Sequence, residues 1–127
     1  MNGRKLNVMV VDDSSITLKK LTKMLEELGH KVTCSAKTGT DAVTAYRAEK
    51  PDLVTMDITM PDMDGIEATR RILAEDGDAL IVMVTSHGQE QMVMDAIDAG
   101  AKGYVLKPVK SERLQETIDK IVEKFLS

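Results

Sequence analysis

The chain has no tryptophan and only three aromatic residues, Tyr46, Tyr104 and Phe125, among 127. Its core is therefore expected to be aliphatic and filled out by methionine, and an aromatic outside that core needs a reason of its own. Cys34 is the single cysteine. It excludes an internal disulfide, suits a reducing compartment and is expected to serve as a small core residue. No apolar run approaches the ~20 residues of a membrane span. Nor is Met1 to Lys5 followed by the apolar stretch of a signal peptide, so a cytoplasmic chain without membrane contact is expected. A basic excess is also missing. The net charge is -4 with Lys and Arg scattered, which leaves no electrostatic footprint for nucleic acid. No repeat, linker or low-complexity segment stands out. What remains is 43% hydrophobic and 30% charged, the balance of a soluble globule rather than a disordered chain. The length suits one domain, 1–127, with no output domain and a monomeric state expected.

The most informative stretch runs from Pro51 to Pro61. Leu53-Val54-Thr55-Met56 leads straight into Asp57, and Met60-Pro61 ends the segment. A short continuous apolar run bounded by proline predicts a fully buried strand, because a half-exposed strand would alternate. Asp57 then sits where the strand leaves the sheet, the edge at which open parallel sheets bind ligands.

The other elements follow in order. Val8-Met9-Val10-Val11 is a second apolar run, ending in Asp12-Asp13. Ser14 or Ser15 can cap a helix carrying Leu18, Leu21, Leu25 and Leu28, which Gly29 stops. Val32, Cys34 and Ala36 alternate with polar residues, the pattern of an edge strand. Thr38-x-x-Asp41 resembles a capping box and opens a helix with Ala42, Val43 and Tyr46. Asp64-Gly65-Ile66-Glu67 starts a third helix, bearing Ile66, Ile72 and Leu73. Leu80 to Val84 is the longest apolar strand and ends at Thr85-Ser86. A fourth helix is predicted over Gln89 to Ala99, with Met92, Val93, Ala96 and Ile97 on one face and Gly100 as its stop. Gly103 to Leu106 is the fifth strand, ending at Lys107-Pro108. Ser111 is expected to cap a last helix with Leu114, Ile118, Ile121 and Phe125 on one face.

Strand and helix alternate five times. Parallel strands need right-handed crossovers, so the pattern implies an α/β fold, a doubly wound five-stranded parallel sheet with helices on both faces. The order taken for it is 2-1-3-4-5, that of flavodoxin-like sheets. Asp12, Asp13, Asp57, Thr85 and Lys107 then share the C-terminal edge. Two unit charges about 4 Å apart repel by roughly 4 kcal/mol at an effective dielectric near 20. Three carboxylates therefore call for a cation. Lys107 offsets one charge, and a hard divalent ion such as Mg²⁺ offsets more while keeping open positions. A carboxylate beside Mg²⁺, a hydroxyl and a lysine is equipped to receive a phosphoryl group, the cations stabilising charge on the transferring oxygens. Asp57 stands alone on its strand whereas Asp12 and Asp13 form a pair, so Asp57 is read as the nucleophile.

Val11-Asp12-Asp13, the run Met56 to Gly65, Val84-Thr85-Ser86 and the run Ala99 to Pro108 together carry a resemblance. The chain resembles the receiver domains of two-component response regulators, specifically the stand-alone chemotaxis type, over nearly its whole length. The resemblance implies that Asp57 is the phosphoacceptor. It implies one Mg²⁺ held by Asp13, Asp57 and the Thr59 main-chain carbonyl, with Asp12 assisting through water. Thr85 would be the switch hydroxyl and Tyr104 the aromatic switch. Lys107 would contact the phosphoryl group, across a cis bond to Pro108. Thr59, Ser86 and His87 fall where the family varies and would tune the lifetime of the phosphorylated state. The implied partners are a histidine kinase as donor, a flagellar-switch or other effector protein, and a dedicated phosphatase. The implied protein is a switch rather than an enzyme, catalysing only its own phosphorylation and dephosphorylation.

Plainer readings stand beside these. Asp12-Asp13 could be acids at a helix start, Thr85 an ordinary cap, and Tyr104 a packed strand residue. His30 and His87 lack partners at metal-ligand spacing and read as surface residues. A haloacid-dehalogenase-type phosphatase would need a second acid where Thr59 stands. A flavodoxin-type binder would need a phosphate loop where Asp12-Asp13-Ser14-Ser15 stands. A receiver of another phosphorelay, or one cut from a multidomain regulator, is the remaining alternative.

Overall fold

Four apolar residues in succession, Val8 to Val11, make the middle and end of β1 (Asn7–Val11), and all four are buried. That is what a strand covered on both faces requires. The computed structural model describes residues 5–86 and 90–126. In order the elements are β1, α1 (Ser15–Glu27), β2 (Lys31–Ala36), α2 (Gly39–Glu49), β3 (Leu53–Met56), α3 (Gly65–Glu75), β4 (Ile81–Thr85), α4 (Glu90–Asp98), β5 (Gly103–Leu106) and α5 (Ser111–Ile121). A π-helical turn, Val122–Leu126, follows. The sheet order is β2-β1-β3-β4-β5, and every neighbouring pair is parallel. This is the flavodoxin-like order expected.

Alternation along the strands divides the core in two. Met9, Val11, Val54, Met56, Ile81 and Met83 face α2, α3 and α4, meeting Ala42, Tyr46, Ile66, Ile72 and Ala96. Val8, Val10, Leu53, Val82, Val84 and Val105 face α1 and α5, meeting Leu18, Leu21, Leu25, Leu114, Ile118 and Ile121. Tyr46 is the one aromatic buried among the described residues, and its hydroxyl donates to Asp76 at 2.8 Å. Cys34 on the edge strand β2 is half-buried and packs against the first cluster. Burial pushes its thiol up.

Three helix starts follow the capping residues in the sequence. Ser14 accepts from the Thr17 N–H, Thr38 from Asp41 and Asp64 from Glu67. Four expectations need correction. Ser111 does not cap α5. It is the first helical residue, and Lys110 precedes it without a side-chain cap bond. Phe125 does not share the buried face of α5, being 42% exposed. The wider π turn rotates it outward between Lys102 and Lys124, while Val122 is buried instead. Ile97 is 54% exposed although it shares a helix with the buried Ala96. His30 is no free surface group, because its Nδ1 accepts the Leu6 N–H at 3.1 Å. Gln89, the expected first residue of α4, lies outside the described residues.

Candidate functional site

The chain leaves β1 towards β2 on one side and later enters β3 on the other, so a crevice opens beyond the C-terminal ends of β1 and β3. Asp12 is the first residue after β1 and Asp57 the first after β3. The Asp57 N–H donates to the Val11 carbonyl at 2.9 Å, and the Asp12 N–H to the Ala36 carbonyl at 3.0 Å. Both acids therefore hang from the last rungs of the sheet and inherit its rigidity. Asp12 is fully buried, Asp57 is 5% exposed and Asp13 lies exposed at the mouth. One carboxylate oxygen from each of the three lies within 4.8 Å of the others.

Lys107 enters from the end of β5, where its N–H donates to the Thr85 carbonyl at 2.8 Å. Its Nζ donates to Asp12 Oδ2 at 2.7 Å and, longer, to Asp57 Oδ1 at 3.5 Å. The Lys107–Pro108 peptide is cis, as expected. Thr85 is fully buried at the end of β4. In register it lies opposite Leu106, two positions beyond the Met83–Tyr104 pair. Thr85 and Tyr104 thus stand on the same face of neighbouring strands, diagonal to one another. Tyr104 is half-buried and lines a hollow of about 280 Å³ with Leu106, Pro108, Lys110 and Arg113.

Charge in this pocket is not balanced. Burial first, and then the neighbouring Asp12 charge, push Asp57 up to about 6, although Lys107 pulls the other way. Burial depresses the Lys107 ammonium, but its bond to Asp12 and the two carboxylate charges outweigh that and raise it. Among the described residues three carboxylates share one ammonium, and the candidate ligand atoms are hard carboxylate oxygens. That donor set fits Mg²⁺ or a similar divalent cation and suits a soft thiophilic metal poorly.

The β3–α3 loop completes the rim. The Gly65 N–H donates to the Ile58 carbonyl at 2.7 Å, closing the loop on itself. A Cβ at Gly65 would lie 2.0 Å from the Asp57 carbonyl oxygen, so only glycine lets α3 begin against the strand end. Thr59 and Ser86 are exposed at the rim, while His87 lies outside the described residues. Asp62, in the same loop, was not singled out by sequence reasoning. Its carboxylate accepts from the first turn of α2, and the Thr40 hydroxyl bond leads the interactions that hold it down at about 2. The signal was a second acid two residues before the Asp64 cap, but nothing local says which helix it serves.

Residues 8–119 match the response regulator receiver domain. The chain belongs to that family. This receiver is 43% identical over 113 residues to the chemotaxis protein CheY of Bacillus subtilis (strain 168), covering 89% of this chain and 94% of that protein. A crystal structure of a LuxR-family two-component response regulator from Aurantimonas sp. SI85-9A1 superimposes with a TM-score of 0.91 at 35% identity, covering 95% of this chain and 87% of that one. CheY in a CheX-CheY-BeF3-Mg²⁺ complex from Borrelia burgdorferi gives a TM-score of 0.88 at 36% identity, covering 91% and 87%. The receiver family and the acid pocket at its switch point agree with each other.

Proposed function

We propose that this receiver is a phosphorylation-activated switch in which Asp57 accepts a phosphoryl group from a histidine kinase or a small phosphodonor. The observation that carries the reading is the convergence of Asp12, Asp13 and Asp57 with Lys107 at one strand edge. A carboxylate oxygen of Asp57 attacks phosphorus. The bond from phosphorus to the donor nitrogen or oxygen breaks, and the donor leaves with the electron pair. An Asp57 acyl phosphate results. Lys107 is within reach of Asp57 and can pair with a phosphoryl oxygen once the acyl phosphate forms. Thr85, buried at the next strand end, can offer its hydroxyl to another. Asp12, Asp13, Asp57 and the Thr59 carbonyl would hold Mg²⁺, which when bound neutralises charge on the transferring oxygens.

Thr85 and Tyr104 then form the route outward. Movement of Thr85 towards the phosphoryl group vacates space on the face it shares with Tyr104, and the ring can turn inward. That reshapes the surface of α4, β5 and α5, where Gln91, Lys102, Lys110 and Arg113 are exposed and Asp95 and Tyr104 half-buried. Apolar Met94, Ile97 and Leu106 are exposed there too, which suits a protein partner. The identity to the Bacillus subtilis chemotaxis protein supports chemotaxis as the pathway, with a flagellar-switch component as target. In this reading the chain is one domain and a switch rather than a turnover enzyme. It works as a cytoplasmic monomer, and no described helix is long and apolar enough to cross a membrane. The CheX complex of the Borrelia burgdorferi neighbour supports a further partner, for which a dedicated phosphatase is proposed.

The test is incubation with acetyl phosphate and Mg²⁺, followed by intact mass. One phosphoryl group should be gained, Asp57→Asn should gain none, and EDTA should stop the reaction. Stable labelling of another residue in the wild-type chain would overturn the assignment.

A further inference from the structure

The β3–α3 loop carries two neighbouring acids that serve different helices. Asp64 caps its own helix, accepting from the Glu67 N–H at 2.8 Å. Asp62 reaches out to α2. Its Oδ1 accepts from the Gly39 N–H at 2.9 Å, its Oδ2 from the Thr40 N–H at 3.0 Å, and the Thr40 hydroxyl also donates to Oδ2. Gly39 and Thr40 are the first two residues of α2, and the third N–H, that of Asp41, is taken by Thr38. The first N–H groups of a helix have no acceptor within it, and the helix dipole favours an anion there. The carboxylate therefore meets two parallel donors at the positive end of a helix, a geometry that resists sliding. The backbones are equally close. A Cβ on Gly39 would lie 2.7 Å from both the Cβ and the carbonyl oxygen of Met63.

The inner end of the same loop is fastened to the sheet through the Gly65–Ile58 and Asp57–Val11 bonds. Between that fastening and Asp62 lies Thr59. We propose that Asp62 is a positioning residue of the cation site. By clamping the loop to α2 it fixes where the Thr59 carbonyl sits, and it couples the acid pocket to the first turn of α2. The inference rests on the reading of Asp12, Asp13, Asp57 and the Thr59 carbonyl as a Mg²⁺ site. Mg²⁺ demands near-octahedral geometry at about 2.0–2.1 Å, so a carbonyl ligand on a loosened loop binds poorly. Groups that orient metal ligands are worth 10–100-fold in affinity. Asp62 acts on one ligand through the two intervening loop residues, Met60 and Pro61, so a ~10-fold loss is expected on its removal. Coupling of this kind is reciprocal. If the clamp tightens Mg²⁺ binding, Mg²⁺ must tighten the clamp.

Both directions can be read by NMR of the ¹⁵N-labelled chain, without any phosphodonor. In the wild-type chain, saturating Mg²⁺ should slow hydrogen exchange of the Gly39 and Thr40 amides several-fold. In Asp62→Ala the Mg²⁺ dissociation constant should rise ~10-fold, and exchange at Thr40 should no longer respond to Mg²⁺. Gly39→Ala keeps the acid but pushes Met63 off the helix, and it should weaken Mg²⁺ binding in the same direction. A purely structural cap would lower stability in Asp62→Ala and leave the Mg²⁺ affinity unchanged, which would overturn the inference. So would wild-type Gly39 and Thr40 amides indifferent to Mg²⁺, a measurement that needs no variant to fold. A wild-type chain that binds no Mg²⁺ would overturn the cation reading itself and this inference with it.

Discussion

Replacing Asp57 by Asn should make the metal-free protein more stable at neutral pH, although it removes the central residue of the site. The carboxyl is held at about 6 instead of its ordinary 3.8, chiefly by burial and by the Asp12 charge. Each unit of such a difference is about 1.4 kcal/mol, so ionised Asp57 costs the fold roughly 3 kcal/mol. The sign follows from the raised value. The neutral acid is favoured in the folded state, so its contribution is fully present below pH 4 and is lost as pH rises through about 6. Asparagine has the same shape without the charge. The assay is urea denaturation of both proteins in EDTA at pH 4.5 and pH 7.5. Titrations of groups away from the pocket, His30 included, are common to both proteins and cancel in the difference. At pH 7.5 the variant should be ahead by about 2–3 kcal/mol, or roughly 10 °C in Tm for a chain of this size. At pH 4.5 most of that gap should close. Saturating Mg²⁺ at pH 7.5 should also narrow it, by stabilising the wild type through binding to the folded state. Equal stability at pH 7.5, or a gap independent of pH, would refute the electrostatic account of the pocket.

Thr55 lies fully buried in β3, and its hydroxyl has no hydrogen-bond partner among the described residues. Thr55→Val should therefore raise stability by about 1 kcal/mol, read as a higher urea midpoint at constant slope, since it removes an unpaired polar group at equal volume. Burial lowers His30, against a smaller pull upward from Asp119, and the neutral ring accepts the Leu6 N–H. Its stabilisation is present above pH 6.5 and should fade as pH falls below that value, a dependence His30→Ala should lack in denaturation curves at pH 7.5 and 5.5. Thr59 is a short side chain at the rim. Thr59→Asn and His87→Glu are each expected to speed decay of the acyl phosphate by placing a group that can hold the attacking water. Unchanged or slower decay of the phosphorylated form in both would count against that. Tyr104→Ala should leave phosphorylation at Asp57 intact and lose much of the phosphorylation-dependent gain in effector affinity, measured with and without beryllofluoride.

Much of the architecture was legible in the sequence because it is encoded locally. Continuous, mainly apolar runs mark β1, β3 and β4, which are buried on both faces, and Ser14, Thr38 and Asp64 announce their helices within three residues of the N–H each one accepts. The acids and Lys107 could be placed at strand ends for the same reason, and five alternations of strand and helix imply a parallel sheet. What placed them in one pocket is not local. Lys107 meets Asp12 across 95 residues, and the meeting exists only because β1 and β3 are neighbours with β4 and β5 beyond them. Resemblance to a family supplied that order in advance, whereas composition and periodicity did not. Where the tertiary structure departed from expectation, the cause was again packing between distant segments. Phe125 follows the helical spacing of Ile118 and Ile121, but a π turn carries it outward to Lys102. His30 looks unpartnered until β1 brings the Leu6 N–H to its ring. Asp62 reads as one more loop acid beside a cap, and only the approach of α2 shows which two N–H groups it holds. A side chain's neighbours within one turn are set by the sequence around it. Those across the sheet are set by where the whole chain comes to rest.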